Sequence, residues 1–123
     1  MKRFLSLLLF LPLLTAPSRA VEQDVLTLRV VWNNPFNPSR GEVTQFEYEV
    51  RGQDARVQLM VFAVDGHAVR QFPDHLALPD TPYTQDWDGR NDRGDLVDSG
   101  IYFVALDADR SARRVRRVAV LRD

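Results

Sequence analysis

The feature that most constrains this chain is the spacing of its turn signals. From Val25 onward, clusters of Gly, Pro, Asp and Asn break the apolar pattern about every ten residues, the rhythm of an all-β domain. No segment holds a helical period for the roughly ten to twelve residues that a helix requires. Val25–Val31 reads as a first strand. Val43–Val50 alternates, with Phe46, Tyr48 and Val50 on one face and Gln45, Glu47 and Glu49 on the other. That is a strand with one dry and one wet face. Arg56–Val64 is the most apolar run and is expected at the centre of a sheet. Asp65-Gly66 joins it to Ala68–Phe72 as a hairpin, because Gly accepts a positive φ. Pro73–Pro82, with three prolines, reads as a loop or an edge. Tyr83–Trp87, Ile101–Ala108 and Val115–Leu121 complete about seven antiparallel strands, an Ig-like β-sandwich.

The N-terminus is of another kind. Met1-Lys2-Arg3 is positively charged, Phe4–Leu14 is apolar, and Ser18-Arg19-Ala20 places small residues where a signal peptidase requires them. The apolar run is well short of the ~20 residues that span a bilayer. Residues 1–20 are thus expected to be a signal peptide, and residues 21–123 a single exported domain. No later segment reaches spanning length, so the expected mature chain has no transmembrane segment. Its expected location is the periplasm, the outer surface or the extracellular medium.

Composition narrows the function classes. A chain of 123 residues is too short for a two-domain enzyme, a doubly wound nucleotide-binding fold or a closed β/α barrel. Cysteine is absent, which excludes disulfides, thiol catalysis and Cys-ligated zinc. Without Lys2, Arg3 and Arg19, every remaining basic residue is an arginine, and acids outnumber them. That balance is not the basic one of a nucleic-acid binder. Charge is also segregated. Residues 74–109 are strongly acidic, whereas residues 110–123 hold six arginines and one acid.

Three motifs have readable physical roles. In Asn34-Pro35-Phe36-Asn37-Pro38-Ser39 the prolines fix φ and push Asn34 and Asn37 towards extended geometry, a preset corner whose Phe36 can plug one end of the core. Val64-Asp65-Gly66-His67-Ala68-Val69 is a strand, turn and strand. Trp87-Asp88-Gly89-Arg90-Asn91-Asp92-Arg93-Gly94, followed by Ser99-Gly100-Ile101-Tyr102-Phe103, is a polar double turn bounded by two large aromatics suited to the rim of a core. In this order, and closed by Arg117-Val118-Ala119-Val120-Leu121-Arg122, the motifs resemble the FlgD-type Ig-like domain. The pattern is likewise similar to the C-terminal sorting domain of bacterial type IX secretion cargo, over residues 25–122. The resemblance implies a non-catalytic module that docks to a protein or cell-envelope surface, with the terminal strand as the part that export machinery reads. It also leaves open a structural scaffold component of an appendage, hook-cap-like.

Catalytic chemistry finds little support. His67 lies in the hairpin turn and His75 in the proline-rich stretch, and no serine sits in a Gly-x-Ser-x-Gly elbow. Asp86, Asp88, Asp92, Asp95 and Asp98 are hard oxygen ligands, but their order does not fit a calcium loop of Asp-x-Asp-x-Asp-Gly type. Arg93-Gly94-Asp95 spells an integrin tripeptide whose Gly94 the turn already requires. A small metal-dependent binder or enzyme is therefore the third reading. No enzymatic activity, catalytic residue, metal site or cofactor is expected, and no nucleic-acid partner. Any partner surface is expected on the closing strand, at Arg114, Arg116 and Arg117, where an edge strand offers unpaired backbone for strand addition and arginine offers bidentate contacts.

Overall fold

The computed structural model describes residues 25–109 and 112–123. The signal-peptide assignment lies outside these residues. Eight strands form two packed sheets: β1 (Leu26–Trp32), β2 (Thr44–Val50), β3 (Ala55–Ala63), β4 (Ala68–Gln71), β5 (His75–Ala77), β6 (Tyr83–Trp87), β7 (Gly100–Ala108) and β8 (Ala112–Val120). One sheet has the order β1-β2-β6; the other runs β4-β3-β7-β8, with β5 also paired to β3. The architecture is the expected all-β sandwich, with one strand more than the sequence suggested. The extra strand is β5, three residues long, which holds the proline-rich stretch against Ala55–Val57.

Alternation builds the core. Along β2, Thr44, Phe46, Tyr48 and Val50 are buried and the residues between them are not. They meet Val57, Leu59 and Val61 of β3, Val104 and Leu106 of β7, and Val118 and Val120 of β8. Thr44, a buried polar side chain, is satisfied by donating to the Trp32 carbonyl at 2.8 Å. β3 is central to its sheet, paired with β4 and β5 on one side and β7 on the other. At the hairpin, Gly66 adopts φ 93°, and the Asp65 carboxylate accepts from the His67 backbone N–H at 3.1 Å.

Between β1 and β2, neighbours in one sheet, the chain crosses to the other sheet and returns, and this crossing closes the molecule. After β1 it passes over to β8, where the Phe36 N–H donates to the Ala119 carbonyl (3.2 Å) and the Leu121 N–H to the Phe36 carbonyl (2.9 Å). The Asn34 amide accepts from the Ala119 N–H at 2.9 Å and donates to the Arg117 carbonyl at 3.3 Å. A single 3₁₀ turn, Pro38–Arg40, follows, capped by the Asn37 side chain accepting from the Ser39 N–H. The Asn34–Pro35 peptide is cis.

This corner and the polar double turn form one cluster. Phe36 packs edge-on to Trp87 at 5.6 Å, and Trp87 edge-on to Tyr102 at 5.7 Å. Phe36 and Trp87 are essentially inaccessible, and Tyr102 is buried at the rim. Each polar atom has a partner: the Trp87 indole donates to the Arg90 carbonyl (2.9 Å) and the Tyr102 hydroxyl to the Asp98 carbonyl (2.7 Å). Gly89 is fixed by the same packing, because a Cβ there would lie 2.6 Å from the Pro38 Cβ.

Gly89 and Gly94 give a matched test. Both have positive φ, 77° and 91°, but a Cβ at Gly94 meets nothing within 4 Å. Gly94→Ala should cost about 1 kcal/mol of backbone strain. Gly89→Ala should cost about 1–3 kcal/mol more, through overlap with the rigid Pro38 ring. Chemical denaturation of both variants checks this; equal midpoints would show that the corner does not press on the double turn.

Candidate functional site

The closing strand is longer than its apolar pattern suggested, starting at Ala112, and its alternation divides the arginines. Val118 and Val120 face the core, so Arg114 and Arg116 lie on that same side, opposite Leu106 and Val104 of β7. Their stems extend the inner face past the end of the core. Arg113 and Arg117 lie on the outer face with Val115 and Ala119. The three arginines singled out from the sequence thus do not share one surface: Arg117 is on the opposite side of the strand from Arg114 and Arg116.

The edge of β8 also departs from the expectation of unpaired backbone. From Arg117 to Leu121 it is occupied by Asn34 and Phe36. Further back, the Arg114 guanidinium donates to the Arg113 carbonyl (3.0 Å) and that of Arg116 to the Val115 carbonyl (2.8 Å). Most of the edge's acceptors are already used, so strand addition along its whole length is not available. The physical reason is the crossing itself, which lays a residue of the first sheet's chain onto the second sheet's rim.

Pairing differs among these cations. Arg113 forms a two-point pair with Asp107, at 2.6 and 2.8 Å, with its guanidinium 5.9 Å from the Phe62 ring centre. Arg116 and Arg117 make no ion pair with any described carboxylate.

The two outer faces of the sandwich are chemically unlike. The three-stranded sheet presents Arg29 paired with Glu47, Glu49, Gln45 bonded to Asp86 at 2.9 Å and, across from Gln45, Trp32 at 61% exposed. The other sheet presents Phe62 beside Phe103 beside Arg117 in one row, and Met60 beside Ala105 beside Val115 in the next. Ile101 and Val115 are 43% and 41% exposed. The sequence reading assigned this face no role. Its signal was available in Met60–Val64, whose residues are apolar on both faces of the strand.

The acidic reversal is occupied by its own chain. Asp88 accepts from the Arg90 N–H (3.0 Å) and faces Arg70 (3.4 Å); Asp92 accepts from the Gln71 N–H (3.0 Å). Asp95 lies 3.8 Å from Arg93, within the tripeptide itself, and Asp98 lies 3.7 Å from Arg122. Among the described residues no three His, Cys, Asp or Glu side chains gather as a metal site. Between this reversal and the β3–β4 hairpin is an open cleft of about 410 Å³, bordered by His67, Val69, Asp92, Arg93, Val97 and Tyr102.

The histidines are far apart. His67 pairs with Asp65 at 2.6 Å, and its backbone and ring N–H groups hold that carboxyl below the usual range. His75 lies beside Val57, towards the other end of β3, roughly 20 Å away at strand rise. It shares a 2.7 Å hydrogen bond with the Tyr48 hydroxyl, whose pKa burial pushes up.

No family model matches the chain, and no curated protein matches it. Among solved structures the fold is similar to part of PorZ, an essential bacterial surface component of the type IX secretion system of Porphyromonas gingivalis. The TM-score is 0.52 at 21% identity, over 80% of this chain and 12% of PorZ. The likeness is one of fold. The chain spans only a small part of the length of that protein.

Calcium is expected to leave the reversal unaffected, since its carboxylates already have arginine and backbone partners. Melting curves with millimolar calcium and with chelator should superimpose. A rise of several degrees with calcium would assign the loop a metal-binding role.

Proposed function

We propose that this chain is an exported, non-catalytic Ig-like module of the FlgD and type IX sorting-domain kind, docking to a protein or cell-envelope surface. One observation carries the reading. The corner Asn34–Pro38, the turn Trp87–Gly89 and Tyr102, far apart in sequence, converge at the closing strand of a sandwich whose fold a type IX surface component shares in part. Those residues build the domain. Arginines of β8 are the groups a partner would engage, since guanidinium recognises carboxylate and phosphate by paired donors. Arg116 and Arg117, which pair with no carboxylate among the described residues, carry most of that capacity.

The test is charge removal with the stems kept: Arg114→Gln, Arg116→Gln and Arg117→Gln together. Stability should change by about 0.5 kcal/mol or less per site. Association with the host envelope should weaken and lose much of its salt dependence. A variant that fractionates as the parent does would show that the arginines only protect an edge.

A further inference from the structure

The outer face of the β4-β3-β7-β8 sheet has no covering layer among the described residues, although its two central strands are apolar there. Sheets with one wet face alternate apolar with polar residues, as β2 does with Gln45, Glu47 and Glu49. Beyond Arg56, Gln58 and Asp107 at one end, the outward positions of β3 and β7 are instead Met60, Phe62, Ile101, Phe103 and Ala105, the last of them buried. Val115 of β8 extends the patch, and Arg117 stands directly across from Phe103. Contiguous exposed apolar surface with a polar border marks an interaction site more often than chance.

We infer that this face is the docking surface, and that its occupant is a partner protein presenting apolar side chains together with a carboxylate opposite Arg117. The inference rests on the docking role proposed above and names the surface and partner chemistry for it. Charge complementarity decides the occupant. The other cations on the outward sides of β8 and β3 are already paired, Arg113 with Asp107 and Arg56 with Asp74. Arg117 has no carboxylate partner among the described residues and sits across from the aromatic Phe103, where desolvation on docking would strand its charge unless the partner supplies an anion. A second copy of this chain does not supply one. The carboxylates at this face, Asp107 and Asp74, are already committed to Arg113 and Arg56, so a twofold pairing of the faces would leave both copies of Arg117 unsatisfied. Phe62 and Phe103 would give the dry centre of the contact and Arg117 its orientation, the aromatic and arginine composition found at energetic centres of interfaces.

Site-specific photo-crosslinking in the native host tests this with the full chain. A benzophenone amino acid replaces Phe103 in one variant, and in a control replaces Thr84, exposed on the opposite sheet. The expected result is a discrete protein adduct from position 103 and none from position 84. Arg117→Glu should lower the adduct yield roughly tenfold, whereas Arg117→Lys should largely retain it. Replacing the carboxylate of the cross-linked partner segment by lysine should restore the adduct with Arg117→Glu, and only that restoration completes the support. Thermal melting confirms that each variant is folded. An adduct of twice the chain mass would overturn the inference in favour of self-association, and lipid-only adducts in favour of a membrane. Adducts at position 84 alone would overturn this face while leaving the docking role intact. No adduct at either position, with envelope association also unchanged on removal of the arginines, would count against both.

Discussion

Everything in this domain depends on one crossing. Between Asn33 and Pro38 the chain leaves the first sheet, lays Phe36 along the rim of the second, and returns. Two hydrogen bonds from the Phe36 backbone and two from the Asn34 side chain fasten it to β8. The Phe36 ring meanwhile fills the end of the core against Trp87. Backbone pairing and core packing are thus satisfied by one short segment, Asn34 to Phe36. In a chain without cysteine, that contact does the joining of sheets that a disulfide performs in many exported domains.

The crossing also determines which surfaces remain open. It occupies the C-terminal part of the β8 edge, and Asp92 does the same for β4, its N–H donating to the Val69 carbonyl and its carboxylate accepting from the Gln71 N–H. With these edges blunted, edge-to-edge association is suppressed. On this larger sheet the surface left open is its face. The two faces differ in kind, one ion-paired apart from Trp32, the other apolar at its centre with an arginine in its row.

The fold was legible because its signals are local. Strand alternation in Val43–Val50, the Asp65-Gly66 turn and the aromatic-bounded double turn each act over a few residues, and each lies in the structure where its chemistry requires. Phe36 was readable as a plug because two prolines rigidify the segment around it. The destination of that segment was not readable. Nothing in Asn34–Pro38 specifies β8 as its partner, because the choice depends on register across 83 residues. Hence the closing strand looked like an open edge. The arginines were misgrouped for a related reason: adjacent positions such as Arg116 and Arg117 are neighbours in sequence but opposite in a strand. The apolar outer face was overlooked because a continuous apolar run looks the same whether its second face is covered or bare.

The central claim, that Asn34 and Phe36 seal the sandwich by pairing with β8, is tested most directly by residue-resolved amide hydrogen exchange on the free protein. The Phe36, Ala119 and Leu121 amides should exchange only through global unfolding, while the Val115 amide, which faces outward from the same strand, should exchange far faster. Exchange of Phe36 and Leu121 as fast as that of Val115 would contradict the account, because the corner would then rest on the sandwich without closing it.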